Sequence, residues 1–175
     1  MHLHWEAEED YDEAMCVGLR AALAHTPREH LLRLSGIYAY DHDPAGERLG
    51  VYLRDHRGMR IELYLQAHLR LITNSPHYAH ASEELIVRAA TLQLAHTLFH
   101  EVGHHVTLTL NPRRAPSKKR GQVDQTLEKW AEQYVEKRMA KFRESPQPPP
   151  GGGAIAVSAT SPRSPAAAEP PAAEE

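Results

Sequence analysis

An α+β domain is the fold class this sequence predicts, with a small antiparallel or mixed sheet of about three strands packed on two or three helices. Two observations predict it: three short segments rich in β-forming residues sit between an amphipathic first segment and a long apolar helix, and a second helix follows that one. A third sets the limits. The Pro-, Gly- and Ala-rich run from Ser145 to Glu175 cannot bury enough apolar surface to offset its ordering entropy. One folded domain is therefore expected over residues 1–144, with a disordered tail over 145–175.

Taken in order, residues 6–25 predict a helix, because Tyr11, Ala14, Met15, Leu19, Ala22 and Leu23 recur at three- and four-residue spacing. Thr26-Pro27-Arg28-Glu29 offers capping-box chemistry for one further short turn. Leu34–Tyr40, Arg48–Arg54 and Met59–Leu65 read as strands, the last two joined by a break of hairpin length at Asp55-His56-Arg57-Gly58. Residues 66–81 carry no clear period, and Asn74-Ser75-Pro76 marks a loop. Ser82 then suits an N-cap, with Glu83 and Glu84 where the helix dipole favours negative charge. The helix it opens carries a stripe of Leu85, Ala89, Leu92, His96, Phe99, Gly103 and Val106, and Leu94, Leu98 and Val102 add apolar residues on its far side. A helix apolar over so much of its circumference belongs in the middle of the fold. Asn111-Pro112 closes it, a basic loop follows from Arg113 to Gly121, and a last helix spans about Gln122 to Phe142.

Composition excludes some chemistry. The single cysteine, Cys16, rules out an internal disulfide and a cysteine-based metal site, and reads as a small buried residue of the first helix. A net charge of −3 gives no general attraction to nucleic acid. The N-terminus is acidic and has no apolar run after it, and no stretch approaches the roughly 18 apolar residues of a membrane span. The cytoplasm is the expected address.

The central helix contains His100-Glu101-Val102-Gly103-His104. Histidines at i and i+4 share a helix face, so both imidazoles can reach one tetrahedral ion. The glutamate between them points to one side of the pair, placed to hold a metal-bound water and take its proton during attack on a carbonyl. With 13 histidines and 17 glutamates in 175 residues, chance yields such a match in roughly one chain in eleven, so context has to decide. Context supplies Glu128-Lys129-Trp130-Ala131-Glu132 on the next helix, where Glu128 can complete the ligand set and Glu132 can accept a hydrogen bond from a ligand histidine. The plainer alternative is that Glu128, Glu132 and Glu136 line a solvated face. The longer histidine motif is excluded by Thr107 and Leu110 at its required positions.

The segment Thr97-Leu98-Phe99-His100-Glu101-Val102-Gly103-His104 followed by Glu-x-x-Ala-Glu resembles the minimal gluzincin peptidases, and is similar to the ImmA/IrrE-type repressor-cleaving proteins and to the soluble core of HtpX-type peptidases. The likeness covers about residues 92–142. It implies a zincin-like fold, one Zn2+ per chain held by His100, His104 and Glu128, Glu101 as catalytic base, and Glu132 beside a ligand histidine where the usual residue is Asp or Asn. A protein or peptide substrate follows from it, docked as an added strand on an exposed sheet edge, for which Met59–Leu65 is the expected strand. A non-catalytic binding or regulatory module on the same fold is the competing expectation. His80, Tyr78, Tyr134 and Arg138 are candidates for stabilising an oxyanion. His96 and His105 read as structural, and His2 and His4 as an exposed terminus. The basic run 113–120 reads as a solvated loop whose place near the cleft suits acidic substrates or a nucleic-acid-bound target.

Overall fold

In the computed structural model, residues 2–7, 12–46, 48–110, 125–144 and 157–159 are described. The chain runs β1 (Leu3–Trp5), α1 (Asp12–Ala24), a 3-10 turn (Arg28–Leu31), β2 (Leu34–Tyr40), β3 (Gly50–Asp55), β4 (Gly58–Tyr64), α2 (Leu65–Thr73), a second 3-10 turn (Pro76–Tyr78), α3 (Glu83–Leu110), α4 (Gln125–Glu144) and β5 (Val157–Ala159). Among the described residues the architecture is α+β, with a small mixed sheet and four helices.

Strands lie in the order β3-β4-β2-β1-β5. β2 is parallel to both β1 and β4, while β3 is antiparallel to β4. The hairpin places Asp55 opposite Gly58, and Gly58 takes a φ of 104° that suits a residue without Cβ. β4 therefore lies inside the sheet, and the strand expected at the edge, Met59–Leu65, is not there. β3 is. The hydrophobic pattern could not reveal this, because Ile61 and Leu63 read the same for an inner and an outer strand.

Two further expectations change. The first helix begins at Asp12, and Leu3–Trp5 upstream of it pairs with β2, with Leu3 fully buried opposite Ile37. Residues 65–73 are helical and bury Leu65, His68 and Ile72. Of the segment read as a tail, Val157–Ala159 pairs in parallel with β1; its other residues, like the basic loop 113–120, lie outside the described ones.

α3 occupies the centre. Ser82 Oγ accepts from the Leu85 N–H at 3.4 Å, as an N-cap does. Ala90, Leu94, Ala95, Leu98, Phe99 and Val102 are fully or almost fully buried between the sheet, α1 and α4, whereas Leu85 and Leu92 of the expected stripe are 48% and 37% exposed. Burial thus concentrates in the second half of the helix, where both neighbouring layers cover it. Cys16 is half-buried on α1. Among the described residues no helix is long and apolar enough to cross a membrane.

Candidate metal centre

α4 packs on α3 at Gly103. A Cβ built there would lie 2.8 Å from Ala131 Cα and 3.3 Å from Ala131 Cβ, closer than non-bonded carbons approach. Glycine on one helix and alanine on the other therefore allow main chains to approach closely. Glu128, one turn before Ala131, is carried within reach of the α3 histidines.

The resulting contacts are short. His100 Nε2 is 3.1 Å from Glu128 Oε2, His104 Nε2 is 3.5 Å from Glu128 Oε1, and the two Nε2 atoms are 3.1 Å apart. Glu132 Oε1 sits 3.1 Å from His100 Nδ1. Each ring nitrogen of His100 thus faces a carboxylate at 3.1 Å, and a cation held at Nε2 would leave the ring proton on Nδ1, donating to Glu132. The group His100, His104 and Glu128 could hold a metal ion. Both imidazoles are mostly buried, while Glu128 stays 42% exposed, so the cluster opens to solvent on one side.

Glu101 lies on the sheet side of this cluster and is 8% exposed. Burial pushes its carboxyl up to about 7, opposed by His100 and by a hydrogen bond from the Tyr52 main-chain N–H, and reinforced by the nearby Glu128. Tyr52 belongs to β3, 49 positions away in sequence, and no spacing rule could have singled it out.

Three other histidines lie outside the cluster. His105 is fully buried, with Nε2 2.8 Å from the Leu32 carbonyl and Nδ1 3.3 Å from the Tyr52 hydroxyl. His96, half-buried one turn before His100, has its pKa lowered by burial. His68 is buried under the site: its Nδ1–H donates to the Tyr64 carbonyl at 2.7 Å, and Nε2 lies 2.9 Å from the Thr97 hydroxyl. That contact ties α2 to α3 three residues before His100. His4 lies in β1 and stacks on Tyr38 at 4.4 Å.

The residues suggested for an oxyanion have the following surroundings. Tyr134 hydrogen-bonds His30 Nδ1 at 2.9 Å, and the Arg138 guanidinium lies 5.2 Å over the Tyr134 ring. Tyr134 lies on the Ala131 side of α4, its Cβ 3.2 Å from where a Cβ on Gly103 would sit. Tyr78 packs on the hydrophobic core from its 3-10 turn, and His80 is exposed after it.

Compared with known proteins, the chain matches no family model, no curated protein and no solved structure. The geometry stands on its own.

Proposed function

We propose that this chain is a zinc-dependent peptidase of zincin-like architecture, hydrolysing peptide bonds of a protein or peptide substrate. The observation that carries the reading is the convergence of three metal-ligating side chains, His100, His104 and Glu128, with a buried carboxylate at their side. With Zn–N and Zn–O bonds of about 2.0–2.1 Å, tetrahedral geometry puts neighbouring ligand atoms roughly 3.3 Å apart. Here the two Nε2 atoms are 3.1 Å apart, and they lie 3.1 and 3.5 Å from different oxygens of the one Glu128 carboxylate. Without a cation or a proton between them, lone pairs so close repel one another. His100, His104 and Glu128 would hold the ion, and Glu132 would keep His100 in the tautomer that binds through Nε2.

A zinc ion held there would supply Lewis acidity toward a carbonyl and acidify water toward neutral pH. The protein's own chemistry rests on Glu101. A carboxyl whose pKa is brought near neutrality by burial can take a proton from an attacking water and return it to the leaving nitrogen. Among the described residues the cluster is open on the Glu128 side, and β3 is the outer strand of the sheet, where the outward main-chain groups of Gly50 and Arg54 could align an extended peptide.

The test pairs two variants. Glu101→Gln should keep one zinc per chain and cleave nothing, whereas Glu128→Ala should lose the zinc. New peptide termini are counted after incubating native and Glu101→Gln protein with a cell lysate, and zinc is measured by elemental analysis. Identical termini from both proteins would sink the peptidase reading and favour a binding module. Zinc retained by Glu128→Ala would sink the ligand set.

A further inference from the structure

The contacts of Tyr52 and His105 join the edge of the sheet to the helix that carries Glu101. The Tyr64 N–H donates to the Leu49 carbonyl at 3.0 Å, so in the β3–β4 register the residue pairs that exchange main-chain hydrogen bonds are Val51 with Glu62 and Leu53 with Arg60. The main-chain groups of Gly50, Tyr52 and Arg54 then face outward. Of these, the N–H of Tyr52 meets the Glu101 carboxylate. Its side chain goes to the inner face, where the hydroxyl lies 3.3 Å from His105 Nδ1. The Leu32 carbonyl, 2.8 Å from His105 Nε2, can only accept. Nε2 therefore carries the ring proton, and Nδ1 is the acceptor that the hydroxyls of Tyr52 and Thr109 share, each 3.3 Å away. Glu101 and His105 are one helical turn apart, so a single tyrosine is fastened to both, through its main chain and its side chain.

We propose that Tyr52 and His105 form a register clamp, fixing β3 against α3 and thereby the Glu101 carboxylate relative to the metal-binding face. They are positioning residues: Tyr52 meets Glu101 through its main chain, and neither side chain belongs to the ligand group. The clamp itself is a statement about the fold; its effect on turnover rests on the peptidase reading above. Gly50 supports the arrangement, since a Cβ there would lie 2.7 Å from Thr97 Cγ2, so this part of β3 lies directly on α3 one turn before Glu101.

The experiment uses the full chain with Tyr52→Phe, His105→Leu and His105→Gln. Glutamine can still donate to Leu32 and accept from Tyr52, so it serves as the conservative rescue. Three quantities are read: hydrogen exchange of the main-chain amide at position 52, bound zinc, and kcat and KM on a peptide spanning a cleavage site found with native protein in lysate. Losing one hydrogen bond of ordinary strength should speed exchange at position 52 by roughly tenfold in Tyr52→Phe. The same variant should lower kcat by about tenfold, with KM within about twofold and one zinc retained, because the base is displaced rather than removed. His105→Leu should behave likewise and His105→Gln should resemble native protein. Unchanged exchange and kcat in Tyr52→Phe, or loss of zinc from it, would overturn the clamp. Should native protein cleave nothing while exchange at position 52 still responds, the clamp stands and the peptidase reading falls. A melting curve of each variant shows that it is folded, and Tyr52→Phe carries the test if His105→Leu is not.

Discussion

Replacing Gly103 by alanine puts a methyl group where the structure leaves no room for one. The added Cβ would meet Ala131 Cα at 2.8 Å, Tyr134 Cβ at 3.2 Å and Ala131 Cβ at 3.3 Å. Carbon atoms prefer about 3.5–4.0 Å, so α4 has to move outward by roughly 0.7–1 Å. The nearest atom is main chain, and no side-chain rotation relieves it. Overpacking of this kind costs about 1–3 kcal/mol, offset by about 1 kcal/mol from replacing glycine inside a helix. Net destabilisation of about 0–2 kcal/mol leaves a folded protein.

The proposed metal centre is far less tolerant. Sites accept displacements of about 0.2 Å in ligand distance, and Glu128 rides on the helix that moves. Zinc affinity should fall by roughly 10- to 100-fold, the loss that follows when groups orienting metal ligands are disturbed. Competition against a chromophoric chelator measures it, and a melting curve of the metal-free protein measures stability separately. Gly103→Ala protein that binds zinc as tightly as native protein would refute the reasoning, since α4 would then not set the position of Glu128.

Two other predictions concern stability. Burial lowers the His68 pKa from 6.5 to about 4, only partly opposed by its hydrogen bond to the Tyr64 carbonyl. Above pH 6.5 the ring is neutral in both states and its full contribution is present; as pH falls toward 4 the unfolded chain binds a proton that the folded chain refuses. Stability should drop by on the order of 3 kcal/mol across that window, and urea unfolding at a series of pH values should show a flatter profile for His68→Gln. Arg33 holds a φ of 71°, a conformation that costs a residue with a side chain about 1–2 kcal/mol. Arg33→Gly should therefore match or exceed native stability in thermal melts, despite the entropy that glycine adds to the unfolded chain, and a clear loss would show that the side chain itself stabilises the fold.

The sequence by itself determined the local features. Ser82, Glu83 and Glu84 start α3, the period of its apolar residues puts it in the interior, and four-residue spacing puts His100 and His104 on one face; these follow from backbone geometry within a single element. The three central strands were legible for the same reason, as was the turn that joins β3 to β4. Spacing along α4 also put Glu128 and Glu132 one turn apart, but nothing in it said that they face α3. That depends on the depth to which Gly103 and Ala131 let two helices approach, a property of the pair and not of either segment. Strand order was hidden likewise, because hydrogen bonds between strands are made across the chain: β3 at the edge, β1 beside β2, and Tyr52 against Glu101 and His105 are decided only when distant segments share one core. Residue type and period set what each element can offer, and the packing of α3 between the sheet and α4 decided which of those offers meet.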